Sequence, residues 1–411
     1  MIQPIRREEL RAPAKVIDIE LGEEHESGGI DVDGYENVWC LSRRNGVPDR
    51  ITFWDVADEL HIASGAIADL LRADEKVDWP LNEDEPPDSN DVGLTVAICT
   101  HERPEDLRRV LRSLVLQSDP RFTTIVIDNA PKSTATARVV AESSLPNCDY
   151  LIEPEKGLSR ARNTALAHIQ SPYVAWIDDD EMADADWIRR IKQGFAHEGK
   201  PAAVCGVMLP AELESEAQVR FEQYGGFNKG RGLDPELLTL DSPSVVSPLY
   251  PLPAVGSGGN MSFKMDALLA VGGFDRNLGA GTKTHGGEET RVFCSLLQTG
   301  ESILHWPKAI TWHFHRRTMD ELHRQFYGYS AGLSAFYASM IRTQPRTAWE
   351  LVRLAPHGLR DLGLRDGGLK ADQLPADFPQ SLISAGRKGL LLGAFSYASE
   401  TVRDRAGGWH V

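Results

Sequence analysis

The sequence predicts an α/β protein built on an open, doubly wound sheet, and two observations carry that expectation. From Leu94 onward, short apolar runs that read as buried strands alternate with stretches of helical periodicity. Polar and acidic residues then gather at the C-terminal ends of those strands, the edge where open α/β sheets hold their ligands.

The elements follow in order. Residues 94–99 form an apolar run of the kind buried on both faces of a parallel sheet. Pro104 stands where a helix begins, and Leu107, Val110, Leu111 and Leu114 recur at helical spacing. A second strand over 123–127 ends in the turn Asp128-Asn129-Ala130-Pro131. A third is expected over 149–152, a helix over 158–169, and a fourth strand over 173–177 that runs into Asp178, Asp179 and Asp180. Thr100, Asp128 and the aspartate run therefore fall on one edge.

Upstream, residues 14–21 and 38–43 read as strands and 53–71 as an amphipathic helix. Residues 74–91 carry eight acids against one lysine, with Pro80, Pro86 and Pro87, and read as a solvated linker. Beyond Met319 the pattern is helical over 322–341, 348–354 and 382–401. The expected organisation is a small N-terminal α+β region with its linker (1–91), an α/β domain (92–318) and a helical C-terminal extension (319–411).

Composition bounds the function. At 411 residues, 41% hydrophobic and 25% charged, the chain has room for more than one core. A formal net charge of -16 argues against holding nucleic acid or an anionic bilayer by bulk electrostatics. A metal ion and a few arginines still reverse the sign within a single cleft. The five cysteines are scattered, odd in number and without CxxC spacing, as free thiols in a reducing compartment are. The N-terminal residues lack the apolar core of a secretory signal and no segment has the length of a spanning helix, so a cytoplasmic protein without an integral membrane segment is expected.

Three constellations carry chemistry. Asp178-Asp179-Asp180-Glu181 follows a buried strand directly; four adjacent acids repel unless a cation sits among them or they splay into water. Mg2+ or Mn2+ suits such a site, since each takes few protein carboxylates and completes its shell with water and phosphate. The other reading is a solvated turn at the start of a helix. His313 and His315 share a face if their segment is a strand, and either one completes the aspartate site or both merely cap the strand. Gly286-Gly287-Glu288-Glu289 allows close backbone approach ahead of an apolar helix, and one of its acids serves as a general base or both as helix-capping charge. The loop Gly256-Ser257-Gly258-Gly259-Asn260 is permissive and undecided between an acceptor pocket and a simple turn.

These motifs, in order, resemble GT-A glycosyltransferases of family 2. The resemblance is carried by Val96-Ala-Ile-Cys-Thr-His-Glu-Arg103, Val126-Ile-Asp-Asn129, Lys156-Gly-Leu-Ser-Arg-Ala-Arg-Asn163 and Trp176-Ile-Asp-Asp-Asp-Glu181. Asn260-Met-Ser-Phe263, Gly272-Gly-Phe-Asp275, Gly286-Gly-Glu-Glu289 and Trp312-His-Phe-His315 continue it, so that it spans about residues 94–318. It implies an open mixed sheet flanked by helices. It also implies an inverting transfer of sugar from a nucleoside-diphosphate sugar to the hydroxyl of a cell-surface glycan, lipid-linked glycan or natural product, with Mn2+ or Mg2+. Thr100, Glu102 and Asp128 would line the nucleoside pocket, Gly157, Arg160 and Asn163 would lie near the donor, and Asp178 and Asp179 would join them. Asp180, with His313 or His315, would hold the metal, and Gly259, Asn260 and Gly287 would face the acceptor. The family's second acid, usually aspartate, is Glu289 here, which leaves the base open between Glu288 and Glu289. The flanking regions lie outside the resemblance, and a homodimer or peripheral membrane association fits them. Two competing readings are a catalytically inactive sugar-nucleotide binding protein and a sugar-1-phosphate nucleotidylyltransferase. The second lacks an early Gly-rich loop with Arg and Lys for a triphosphate.

Overall fold

The computed structural model describes residues 2–21, 29–57, 59–73, 93–229, 231–250, 256–361 and 374–406. The linker expected over 74–91 lies outside them. The N-terminal part contains Gln3–Ile5 (β1), Ala14–Glu20 (β2), Gly29–Asp31 (β3), Asn37–Arg44 (β4), Val47–Asp55 (β5), His61–Ala63 (β6) and the helix Ser64–Ala73 (α1). Four of the strands form a sheet in the order β1-β5-β4-β2, and β3 pairs with β6.

The helix expected over 53–71 is a correction. Its first part is strand: Phe53 and Trp54 lie opposite Trp39 and Val38 in an antiparallel pair, and the helix starts only at Ser64. The hairpin turns at Asn45 and Gly46, both with left-handed φ (53° and 73°), the geometry a two-residue primed turn requires. Once that turn forms, aromatic and β-branched residues of β5 gain a partner strand, and pairing overrides the local helical spacing.

The central part runs Leu94–Thr100 (β7), Pro104–Val115 (α2), Thr123–Asn129 (β8), Ala135–Glu142 (α3), Cys148–Glu153 (β9), Leu158–His168 (α4), Tyr173–Ile177 (β10), Glu181–Ala183 (β11) and Trp187–Phe195 (α5). It continues with Ala203–Pro210 (β12), Glu216–Gln223 (α6), Glu236–Leu238 (β13), Asn260–Lys264 (β14), Met265–Ala270 (α7), Glu288–Gln298 (α8) and Ile303–His313 (β15). The sheet order is β11-β15-β12-β14-β10-β7-β8-β9, with β13 on β15. Strands β9, β8, β7 and β10 are parallel, with the chain passing from β7 outward to β9 and then back to β10 on the other side. That reversal opens a crevice between the ends of β7 and β10, where a doubly wound sheet binds its ligand. Strand β14 enters antiparallel between β10 and β12, so the sheet is mixed.

Each face of the sheet is covered. One core joins Leu107, Leu111 and Leu114 of α2 with Trp187, Ile188 and Ile191 of α5. The other joins Ala161 and Ala165 of α4 with Val292, Phe293 and Leu296 of α8. The N-terminal sheet docks on the far end: Trp39, Leu41 and Phe53 share a buried cluster with Val207, Leu209 and Ile310. The C-terminal helices are Met319–Thr343 (α9), Thr347–Asp361 (α10) and Gln380–Ala406 (α11). Glycines let α11 lie directly on α9, since a Cβ at Gly389 would meet the Tyr327 carbonyl at 2.2 Å and one at Gly393 the Ala331 carbonyl at 2.0 Å.

Beneath the sheet, Lys192 of α5 is fully buried and donates to Asp119 Oδ2 at 2.9 Å and to the Arg121 carbonyl at 2.7 Å. Burial pushes the Asp119 carboxyl up, but hydrogen bonds from Arg121 and Lys192 outweigh it and hold the group well below the carboxylate range. A carboxyl depressed by folding stabilises the fold above its unfolded pKa of about 3.9 and loses that contribution as the pH falls through the folded value. Lys192→Met removes one of the two cationic partners of Asp119, Arg121 remaining, and is expected to cost about 1–3 kcal/mol at neutral pH. Urea titrations of both chains at neutral pH and in acid should show the difference shrinking once Asp119 is protonated.

Candidate active site

The strand ends at the crevice deliver the acids in three directions. At the end of β7, the Thr100 hydroxyl donates to Asp179 Oδ2 at 2.8 Å. Arg103, three residues on, donates from one nitrogen to Asp179 Oδ1 at 2.9 Å and to Asp180 Oδ2 at 3.1 Å. Arg316, just past β15, reaches the same Asp180 oxygen at 3.1 Å. Burial raises the Asp179 pKa, with repulsion from Asp180 adding to it against the pull of Arg103 and Thr100. Asp180 is buried as well, but His313, Arg316 and Arg103 overcome that cost and hold it far below the ordinary range.

His313 ends β15, directly opposite Glu181 in the antiparallel β11 pairing. This register brings its Nε2 to 3.4 Å from Asp180 Oδ1. His315 does not face the aspartates: its Nδ1 meets His313 Nδ1 at 2.8 Å and its Nε2 meets Glu222 Oε1 at 3.1 Å. Burial, with His313 adding to it, lowers the His315 pKa against the hydrogen bond that Nε2 donates to Glu222.

The second set comes from α4 and α8. Arg162 is 1% exposed and donates to Glu288 Oε1 at 2.9 Å and to the Gly258 carbonyl at 3.0 Å. It stands 3.6 Å from Asp178 Oδ1 and lies over the rings of Trp176 and Phe274. Burial and the neighbouring Glu289 raise the Glu288 pKa against the pull of Arg162. Burial likewise raises Asp178, opposed by Arg162 and assisted by Asp180 and Glu289. Among the described residues the Glu289 carboxylate makes no hydrogen bond or ion pair, although its charge acts on Asp178 and Glu288.

The nucleoside-side residues sit apart along β8. Asp128 is fully buried and accepts from the Tyr150 hydroxyl at 2.8 Å. Burial raises its pKa, with the Tyr150 bond opposing. Glu102, at φ 55°, accepts from the Lys132 amide at 2.7 Å. Gly157 opens α4 at φ 147° and donates its amide to Asn129 Oδ1 at 2.9 Å. Arg160 is tied to Glu155 and, at 2.7 Å, to Asp404 near the end of α11.

Other residues expected at the site face the framework. Asn163 clamps the Phe274 backbone with both ends of its amide, at 2.8 and 3.0 Å. Asn260 donates to the Val207 and Ala309 carbonyls at 2.9 Å each and accepts from the Trp187 indole at 2.9 Å, stitching β12, β14 and β15 together. Gly287, at φ 91°, leaves room for the Gly332 carbonyl of α9, which a Cβ would meet at 2.4 Å. Gly259 alone of the three acceptor-side positions abuts the acids.

Residues 95–243 match the family model described as Glycosyl transferase family 2. The matched segment is similar to this family over about a third of the chain. The mixed sheet covered by helices on both faces agrees with the expected GT-A arrangement. Among curated relatives, the succinoglycan biosynthesis protein ExoM of Rhizobium meliloti is 33% identical over 120 residues, 28% of this chain and 38% of its own length. The glucosyl-dolichyl phosphate glucuronosyltransferase of Haloferax volcanii is 26% identical over 229 residues, 53% of this chain and 67% of its own. The pre-mycofactocin glycosyltransferase of Mycobacterium tuberculosis is 25% identical over 246 residues, 58% of this chain and 46% of its own. The chain thus spans less than half of the first and third. A solved structure of the mannosyltransferase PcManGT from Pyrobaculum calidifontis, with GDP-Man and Mn2+, overlaps 76% of this chain and 87% of its own at 17% identity and a TM-score of 0.47.

Four residues of this candidate site were not singled out from the sequence: Arg103, Arg162, Arg316 and Glu222. Two lie inside quoted motifs, and four adjacent acids beside a buried strand already called for cations near them. Among the described residues no three His, Cys, Asp or Glu side chains are grouped as a ready metal-ligand set. All five cysteines are unpaired, and among the described residues no helix is long and apolar enough to cross a membrane.

Gly259 has a direct test. A Cβ there would stand 1.8 Å from Glu181 Oε1 and 3.0 Å from Asp178 Oδ2. Gly259→Ala should therefore lower stability by about 1–3 kcal/mol through overpacking. Gly65→Ala in α1, whose new methyl meets only Asp69 Oδ2 at 3.8 Å, should not lower it, and denaturant midpoints of the two variants make the comparison.

Proposed function

We propose that this chain transfers a sugar, with inversion, from a nucleoside-diphosphate sugar to an acceptor hydroxyl, in the presence of Mn2+ or Mg2+. The observation that carries the reading is the approach of His313 Nε2 to Asp180 Oδ1 at 3.4 Å in the crevice between β7 and β10. An imidazole lone pair and a carboxylate, both buried, attract at that distance only with a cation or proton between them. One carboxylate and one imidazole also suit an ion that completes its shell with diphosphate and water. Asp180 and His313 would hold the metal, which supplies Lewis-acid neutralisation of the departing diphosphate.

The remaining roles belong to the protein. Arg103 and Arg316 offset the charge of Asp180 and Asp179 and orient them. Asp128, with Thr100 and Glu102 alongside, is proposed to border the nucleoside. Arg162 holds Glu288 as an internal partner. Glu289, which makes no hydrogen bond or ion pair among the described residues and interacts electrostatically with the Lys229 ammonium, is left to take the acceptor proton as the acceptor oxygen attacks the anomeric carbon. Inversion follows from a single displacement, for which one base suffices.

The acceptor is proposed as a glycan, a lipid-linked sugar or a small natural product. The relatives' names span succinoglycan biosynthesis, a glucosyl-dolichyl phosphate and pre-mycofactocin. The division into working units at 1–91, 92–318 and 319–411, a cytoplasmic location and a homodimer belong to the same proposal. The inactive binding protein is the second reading, favoured only by the extra methylene of Glu289.

A thermal-shift panel of UDP, GDP, dTDP and CDP, each with and without Mn2+, tests the donor site. One nucleotide should raise the melting temperature in a metal-dependent way by mass action, and Asp180→Ala should abolish the shift. No shift from any nucleotide with folded protein would overturn the reading. With the donor known, Glu289→Gln is expected to lower kcat by about 10²–10⁴-fold while donor affinity holds. A loss confined to Glu288 variants would reverse the assignment of the base.

A further inference from the structure

A line of buried polar contacts connects the N-terminal sheet to Asp180. The Trp39 indole of β4 donates to Glu222 Oε2 at 3.2 Å. Glu222 Oε1 meets His315 Nε2 at 3.1 Å, His315 Nδ1 meets His313 Nδ1 at 2.8 Å, and His313 Nε2 stands 3.4 Å from Asp180 Oδ1. All five side chains are buried. Phe227 packs edge-on against His313 at 4.6 Å and Phe221 against His315 at 4.9 Å, which fixes both ring planes.

The proton pattern along this line follows from the chemistry of its first member. An indole N–H only donates and a carboxylate only accepts, so Glu222 receives from Trp39 on one oxygen and from His315 Nε2–H on the other. A neutral His315 protonated at Nε2 presents a lone pair at Nδ1. His313 must then donate from Nδ1, so a neutral His313 turns the lone pair of its Nε2 toward Asp180, whereas the imidazolium donates there instead. Outer partners of this kind set the tautomer and orientation of metal-ligating histidines.

We propose that Trp39 and Glu222 are positioning residues that fix the proton pattern of the His313–His315 pair and so turn the Nε2 lone pair of His313 toward Asp180. The proposal rests on the metal reading of Asp180 and His313, and it gives the N-terminal sheet a part in the site from outside the matched family region. Gly226 belongs to the same device: at φ 54° it sits where a Cβ would come within 2.2 Å of Glu222 Oε1, so its missing side chain keeps the carboxylate in line.

Glu222→Gln separates this role from packing. The indole can only donate, so the amide must turn its oxygen to Trp39 and its NH2 to His315. His315 then accepts at Nε2 and donates from Nδ1, and His313 is driven to carry its proton on Nε2. The same substitution in a Trp39→Phe background frees the amide to present its oxygen to His315, and the original pattern returns.

Two measurements on the full chain decide it. In 15N-histidine-labelled protein without metal, at mildly alkaline pH, His313 should be protonated at Nδ1 in wild type, at Nε2 in Glu222→Gln, and again at Nδ1 in the Trp39→Phe/Glu222→Gln double variant. Affinity for Mn2+ alone, followed by the EPR signal of the free ion, should fall about 10–100-fold in Glu222→Gln and recover in the double variant. A neutral wild-type His313 that carries its proton on Nε2, or a tautomer unchanged in Glu222→Gln, overturns the inference, and the wild-type spectrum decides even if a variant fails to fold. Wild type with the expected tautomer but no Mn2+ affinity would overturn the metal reading instead.

Discussion

Four carboxylates in a row at the end of β10 are the constraint around which the site is arranged. Neighbouring anions in a poorly hydrated crevice raise one another's pKa unless opposite charge is brought close. Here each acid is handled separately. Asp178 leans on Arg162, Asp179 is shared between Thr100 and Arg103, and Asp180 draws Arg103, Arg316 and His313. Glu181 is enclosed with neither oxygen hydrogen-bonded among the described residues, and burial with repulsion from Asp178 drives its pKa far up. The compensating groups come from the end of β7, the start of α4 and the segment after β15, so strand order and acid charge are solved together.

The paired glutamates of α8 illustrate how a helix assigns two roles to adjacent identical residues. Consecutive side chains diverge by about 100° around the axis. One must enter the core that α8 builds against α4, and Glu288 does so only because Arg162 is waiting there. The other is carried round to the cleft side. The choice between them was closed to the sequence, where Glu288 and Glu289 are chemically the same, and it opens once the direction of the helix face is known.

The strands of the parallel half were legible because each is a short apolar run that ends in polar residues, and β10 spans the residues expected of it. The long C-terminal helices were legible from periodicity. The N-terminal hairpin was misread, although Asn45-Gly46 is a strong turn signal, because the helical spacing beyond Phe53 was weighed without its partner strand. The antiparallel entry of β14 could not be read locally, since its neighbours β10 and β12 are distant in the chain. The aspartates and histidines announced themselves by type and spacing. Arg162 did not: a buried arginine in a helix looks like any surface arginine until the acids that surround it are placed.

The docking of the N-terminal sheet has an evolutionary consequence. Trp39, Leu41 and Phe53 pack over β12 and β15 together with Leu10, Leu213 and Val219. The sheet is therefore not an accessory that lineages can trade freely between catalytic units. Drift in its inner face must be matched by drift in Val207, Leu209 and Ile310. Chimaeras that splice an N-terminal region from one relative to a catalytic region from another inherit a mismatched seam, and the matched family segment taken alone leaves that seam open to water.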